Sequence, residues 1–279
     1  MKNTVATFQK MKESHEKISM LTCYDYSTAR LMENAGINGI LVGDSLGNVM
    51  QGYEDTLPVT MEECIIYGRS VARATKDTMV VMDMPFMSYQ VSKEQALMNA
   101  GRLMKEARGN AVKLEGGAAV CPQIKAITDA GIPVMAHLGM TPQSVNAFGG
   151  NKVQGKSGEA AKRMLEDAYR IQDAGAFAVV LECVPSPLAA LITRKLTIPT
   201  IGIGAGSETD GQILVYQDML GMFSDYVPKF VKKFANLGQE MTDAFLQYDR
   251  EVKDTAFPDE KHEFHKMTDP EVLEELEKL

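Results

Sequence analysis

At residues 111–117 the chain reads AVKLEGG, a short apolar run broken by one lysine that closes on Glu115 and two glycines. The same pattern stands on either side. Residues 79–86 read MVVMDMPF and residues 178–186 read AVVLECVPS, each an apolar run that ends on an acid, Asp83 or Glu182. Further out, residues 18–22 precede CYDYS, 40–43 precede DSLG, 132–136 precede HLGMTPQ and 198–203 precede GAGS. Runs this short and rich in Val, Ile and Leu suit strands covered on both faces, as in a parallel sheet.

Between the runs the spacing turns helical. Residues 27–34, 60–74, 92–107, 158–174 and 187–196 are the expected helices. Ser27 is a candidate cap, and Thr60 with Glu63 and Ser92 with Gln95 have the spacing of capping boxes. Gly36, Gly131 and Gly175 stand where helices end on a left-handed residue. Seven strand–helix units are visible, and an eighth strand is expected within residues 212–216. That number of units in a chain of 279 residues is the size of a (β/α)8 TIM barrel. A doubly wound open sheet is the competing arrangement. Polar groups at nearly every strand end, rather than at one switch point, favour the barrel. Residues 1–265 read as one barrel domain, and residues 266–279, containing DPEVLEELEKL, as an appended helical tail.

Lysine and arginine number 29 against 37 acids, a net charge of −8. An acidic chain of this kind argues against nucleic acid as a partner. No apolar run of about 18 residues is present, so no membrane span is expected. The four cysteines form no CxxC pair and read as reduced thiols of a cytoplasmic protein.

Asp44, Asp83, Glu115 and Glu182 all follow strands, so a barrel would gather them around one mouth. Like charges crowded together need compensation. A divalent cation is the simplest, and an all-oxygen set fits Mg²⁺ better than zinc. Lys113 lies two residues before Glu115 and shares its face of the strand. It is open to pairing with the acids, binding an anion or forming a Schiff base. His137 is either a donor to substrate or a satisfied core histidine. Ser45 offers a hydroxyl beside Asp44. IGIGAG at residues 201–206 stands where barrels bind phosphate, and FGGNKVQG at 148–155 reads as a loop able to cover the mouth.

These words have a family resemblance. TCYDYSTA, VGDSLGNVMQGYEDTLPVT, DMPFMSY, AVKLEGG, HLGMTPQSVNAFGG, KVQGK, LECVP, IPTIGIGAG, DGQILV and PKFVKKF run in order over nearly the whole chain. In these it resembles the ketopantoate hydroxymethyltransferases. The resemblance implies a (β/α)8 barrel that uses Mg²⁺. It further implies transfer of a hydroxymethyl group from 5,10-methylenetetrahydrofolate to 3-methyl-2-oxobutanoate through a Mg-stabilised enolate. The product is 2-dehydropantoate, an intermediate of pantothenate and coenzyme A synthesis. By motif, Asp44, Asp83 and Glu115 match the metal-site carboxylates. Asp44, Ser45, Asp83, Lys113 and His137 match the ketoacid-binding set, and Glu182 the catalytic base. The implied assembly is a homo-oligomer, a decamer in the family. The alternative reading is another Mg²⁺-dependent lyase or phosphomutase acting on 2-oxo acids, similar to isocitrate lyase. A Schiff-base aldolase acting through Lys113 and a non-catalytic scaffold are further alternatives.

Overall fold

The computed structural model describes residues 2–222 and 227–279; Met1 and residues 223–226, inside the expected barrel domain 1–265, lie outside the described residues. Eight parallel strands close into a barrel in sequence order. They are β1 (Ile18–Thr22), β2 (Gly39–Val42), β3 (Met79–Asp83), β4 (Ala111–Glu115), β5 (Val134–Gly139), β6 (Ala178–Glu182), β7 (Thr200–Ile203) and β8 (Gly211–Leu214). The ring closes where β1 pairs with β8, Ile18 opposite Gly211.

The helices are α1 (Val5–Glu13), α2 (Tyr26–Asn34), α3 (Leu46–Val49), α4 (Met61–Ala74), α5 (Lys93–Lys105) and α6 (Cys121–Asp129), followed by α7 (Val145–Phe148), α8 (Gly158–Asp173), α9 (Ser186–Lys195), α10 (Tyr216–Met219), α11 (Leu237–Lys253) and α12 (Val272–Leu276). The expected barrel is present, but its outer ring is incomplete. Residues 204–210 join β7 to β8 without a helix. IGIGAG therefore leads to no helix N-terminus, the usual partner of a phosphate.

Strand alternation sorts the apolar residues into two layers. Ile40, Val42, Val80, Met82, Val112, Leu114, Val179 and Leu181 point outward and pack under the helices. Ile18, Met20, Leu41, Met79, Val81, Ala111, Met135, Val180, Ile201 and Ile213 point inward. At the N-terminal end the inward layer is sealed by α1, whose Phe8 is fully buried and meets Phe177 edge-on at 6.3 Å. Sequence reading assigned nothing to this helix, since two buried residues, Phe8 and Met11, are too few to set up a helical period.

Local signals mostly hold. Thr60 and Glu63 make both bonds of a capping box. Ser92 caps α5, but the Gln95 amide donates to the Met87 carbonyl instead of returning to the cap. Ser27 is not the cap of α2; Asp25 takes that place and accepts the Thr28 N–H at 2.8 Å. Gly36, Gly131 and Gly175 have φ of 75°, 81° and 103°. The fifth strand starts and ends later than the expected 132–136, so that His137 lies inside it. No helix is long and apolar enough to cross a membrane among the described residues, and all four cysteines are free.

Candidate active site

The inward parity that fills the lower barrel with Met79, Val81, Ala111 and Val180 continues upward to Asp83, Lys113, Glu115 and Glu182. Register completes the grouping. Asp83 stands beside Lys113 and Glu115 beside His137, while Glu182 lies next to Gly139. Asp44 arrives from the turn after β2, where its own N–H donates to Asp83 Oδ2 at 3.3 Å. Six of the seven side chains named by sequence thus meet at the C-terminal mouth. Ser45 stands at the rim, its hydroxyl 2.7 Å from that of Tyr24.

Lys113 Nζ donates to both oxygens of Asp83, at 2.7 and 2.9 Å, and lies 3.6 Å from Glu115 Oε1. Burial disfavours its charge, but Asp83, Glu115 and Asp44 together outweigh that and raise its pKa. Lys113 is therefore an ammonium ion and a poor amine nucleophile. His137 lies between two acids, Nδ1 at 3.4 Å from Glu115 Oε1 and Nε2 at 3.4 Å from Glu182 Oε2. Burial again opposes the charge, and the two acids overcome it, lifting His137 to about 9. Both contacts are long, and neither ring nitrogen has a well-formed hydrogen bond. The imidazolium thus keeps donor capacity for an incoming ligand.

The acids differ. Burial holds Asp44 well above the usual carboxylate range, helped by the charges of Asp83 and Glu115. Asp83 is raised too, mainly by burial, with Lys113 pulling the other way. Glu115 is lowered: burial works against it, but Lys113, His137 and the Gln143 N–H prevail. Glu182 is the most open member, its side chain 12% exposed against 2–4% for Asp83, Lys113, Glu115 and His137. It is the acid nearest to whatever enters the mouth.

Four carboxylates face two cations here, an excess equal to the charge of one divalent ion. Among the described residues Asp44 makes no ion pair, and Lys113 acts on it only as a charge at longer range. A hard cation that takes one or two carboxylates together with water and substrate oxygens fits such a pair as Asp44 and Asp83. Among the described residues no three His, Cys, Asp or Glu side chains form a ready-made metal cage. Glu115 is already turned to Lys113 and His137.

Sequence reasoning missed three members: Tyr24, Tyr89 and Gln143. The last two lie inside the quoted words DMPFMSY and HLGMTPQ, but neither carries a charge that would single it out. Gly139 makes the second word possible. Its φ is 99°, and a Cβ there would lie 2.1 Å from the Glu182 carbonyl. Only glycine allows β5 to turn over the mouth at this point, and the turn delivers Gln143. The loop 148–155 leaves α7 through Gly149, at φ 65°, and is tied down where the Gln154 N–H meets the Cys183 carbonyl at 2.9 Å.

Comparison with known proteins places this chain in a family. A family profile described as ketopantoate hydroxymethyltransferase matches residues 2–260. The 3-methyl-2-oxobutanoate hydroxymethyltransferase of Clostridium botulinum (strain Alaska E43 / Type E3) is 63% identical over 264 residues, 95% of this chain and 96% of that protein. The protein of the same name from Clostridium novyi (strain NT) is 63% identical over 276 residues, 99% of this chain and all of that one. Among solved structures, phosphonopyruvate hydrolase in complex with oxalate and Mg²⁺ has a TM-score of 0.61 at 13% identity, covering 93% of both chains. A 2,3-dimethylmalate lyase, a PEP mutase/isocitrate lyase superfamily member, has a TM-score of 0.60 at 15% identity, covering 100% of this chain and 98% of that one. Likeness at that level of identity concerns the fold alone.

Proposed function

Because the chain belongs to the ketopantoate hydroxymethyltransferase family, and is thus a one-carbon transferase, we propose the following reaction and division of labour. The enzyme carries a hydroxymethyl group from 5,10-methylenetetrahydrofolate to C3 of 3-methyl-2-oxobutanoate, giving 2-dehydropantoate for pantothenate synthesis. The observation that carries this reading is the convergence of Asp44, Asp83, Lys113, Glu115, His137 and Glu182 at one mouth.

Asp44 and Asp83 would hold Mg²⁺, with Glu115 as the third carboxylate of the site. The ion, when bound, withdraws electron density from the ketoacid's oxygens and makes C3 more acidic. Lys113 and His137 supply the fixed positive charge that receives the substrate's carboxylate and keto oxygens. Ser45 adds a hydroxyl at the rim. Glu182, the outermost acid, takes the C3 proton. The carbon so activated forms a bond to the methylene carbon of the folate. Water supplies the hydroxyl oxygen, and tetrahydrofolate leaves. Since water is a reactant, a mouth open at Glu182 serves the chemistry. A cytoplasmic homo-oligomer is part of the same reading; the exposed Phe245, Leu246 and Tyr248 of α11 suit a surface that another copy covers.

The test separates binding from proton transfer. Glu182→Gln keeps shape and hydrogen bonding but cannot accept a proton. Mg²⁺-dependent ketoacid binding by calorimetry is expected to persist. Turnover is expected to fall by about 10²–10⁴-fold. Exchange of the C3 proton in D₂O without folate, followed by NMR, is expected to stop. Exchange at the wild-type rate in the folded variant removes Glu182 from the mechanism. Cleavage of a 2-oxo acid, or phosphoryl migration, with no consumption of methylenetetrahydrofolate overturns the transferase reaction in favour of a lyase or phosphomutase.

A further inference from the structure

Gln143 has no charge and does not face the open mouth, yet it touches both ends of the acid cluster. It is buried, at 5% exposure. Its backbone N–H donates to Glu115 Oε2 at 3.0 Å. Its side-chain Nε2 donates to Asp44 Oδ2 at 2.9 Å and to the Met84 carbonyl, also at 2.9 Å. Its Oε1 accepts from the Tyr89 hydroxyl at 2.7 Å and from Gln90 Nε2 at 3.3 Å. Two donors and two acceptors exhaust what an amide offers.

The partners also fix which way the amide points. The Met84 carbonyl can only accept, so the NH₂ group must lie on that side, and Asp44 must receive its second proton. Tyr89 locks the opposite end. Its oxygen accepts the Glu115 N–H at 3.1 Å, and its one proton has two acceptors in reach, Gln143 Oε1 at 2.7 Å and the Glu115 carbonyl at 3.2 Å, of which the shorter contact to Gln143 is the stronger. A closed circuit therefore runs from the Glu115 peptide through Tyr89 and the Gln143 amide to Asp44, and returns from the Gln143 peptide to the Glu115 carboxylate.

From this circuit we infer that Gln143 is a positioning residue for the cation site, with Tyr89 as the residue that orients it. The inference rests on the reading of Asp44, Asp83 and Glu115 as the metal-site carboxylates. One oxygen of each of two acids is held by a neutral donor. Asp44 Oδ2 is taken, while Oδ1 accepts no hydrogen bond among the described residues. Glu115 Oε2 is taken, while Oε1 faces Lys113 and His137. A neutral donor does this without placing another positive charge beside the ion. Groups that orient metal-binding carboxylates in this way typically govern affinity through the ligand they hold.

Mn²⁺ is the probe, titrated into the full chain by calorimetry and by loss of the free-ion EPR signal. Gln143→Met keeps the length of the side chain and the backbone N–H but cannot donate to Asp44. Its Kd for Mn²⁺ is expected to rise by about 10–100-fold. Because the Met84 carbonyl and the Tyr89 hydroxyl also lose a buried partner, the metal-free melting temperature is expected to fall, and affinities are compared where both proteins are fully folded. Tyr89→Phe frees the amide to turn and is expected to weaken Mn²⁺ binding in the same direction, by less. Should Gln143→Met fail to fold, Tyr89→Phe carries the test alone. Equal Mn²⁺ affinity in the wild type and the folded variant overturns the inference and leaves the metal reading standing. Failure of the wild-type chain to bind Mn²⁺ overturns both.

Discussion

The two ends of the barrel interior are built from the same strands and follow opposite rules. At the floor, Phe8, Met11, Ile18, Met20, Met79, Val81 and Ile213 fill the space with apolar atoms. At the mouth, one or two steps along β3, β4 and β6, the inward positions hold Asp83, Lys113, Glu115 and Glu182. Both ends bury most of these side chains, Glu182 being the most open one. At the floor that burial is itself the source of stability. At the mouth it is a cost, because buried ions recover their hydration only through well-placed partners. A barrel needs only one of its ends to hold it together, and the other is free to carry charges chosen for chemistry.

The greatest expected effect comes from erasing that difference. Asp83→Leu combined with Lys113→Met turns part of the mouth into floor. Activity is expected to vanish, whereas stability is expected to equal the wild type or to exceed it by about 1–4 kcal/mol, as when other buried ion pairs become apolar. Lys113→Met alone leaves Asp83 without its 2.7 Å partner and is expected to lose about 3–5 kcal/mol. Urea unfolding of the single and double variants at pH 7 checks both. A double variant as unstable as the single one would mean that the mouth, too, is built for stability.

The converse change acts on the floor. Phe8→Ala empties a fully buried ring site against Phe177 and is expected to cost about 3–5 kcal/mol. The folded fraction should turn over at the wild-type rate, because Phe8 packs against Phe177 at the N-terminal end of the barrel, whereas the acid cluster lies at the C-terminal mouth. A fall in kcat per folded molecule, with loading measured by a binding assay, would show that the floor transmits strain to the mouth.

How much of this was legible beforehand follows the same division. The strand runs and the acids that end them are visible because buried parallel strands read as apolar blocks, and a charge at the end of one is conspicuous. Asp44, Asp83, Glu115, His137 and Glu182 were found that way, Lys113 by its two-residue spacing from Glu115, and the structure brings all six together. Gln143 and Tyr89 were not. A neutral side chain that works through hydrogen bonds to residues 99, 28 and 54 positions away leaves no local pattern. The helix α1 was unread because its role is to plug a barrel, and only the closed barrel reveals that. The missing helix after β7 was foreshadowed only by the shortness of residues 204–210, and the register of β5 was set by Gly139, a backbone constraint that apolar counting does not see.

The smallest expected effect compares two carboxylates at opposite ends. Asp44 in the mouth is pushed up by burial and like charge. Glu33, near the C-terminus of α2, has the reverse fate. Burial is the largest single influence and raises it, but the N–H groups of Asp77, Thr78 and Lys76, at 2.9, 3.0 and 3.1 Å, together with the Thr78 side chain, outweigh that and hold its pKa down to about 2, from an ordinary 4.5. It ties the end of α2 to the entry of β3. A carboxyl whose folded pKa is depressed contributes its full stability above the unfolded pKa. That contribution is lost as pH falls through the folded value. The window for Glu33 is therefore about pH 4.5 down to 2. Glu33→Gln retains one carbonyl acceptor and loses the charge. Hydrogen bonds to charged groups are worth more than neutral ones, but the side chain is partly exposed and solvent screens it, so the expected loss at pH 7 is about 1 kcal/mol. Urea midpoints measured from pH 7 to 3 should show the gap between wild type and variant narrowing once the pH drops below about 4.5. In Asp44→Asn, which removes a carboxyl whose folded pKa is raised, the stability gap should instead favour the variant at pH 7 and close as the pH falls. Gaps of the same sign and slope for the two substitutions would erase the distinction between an acid that secures the fold and one whose burial costs stability.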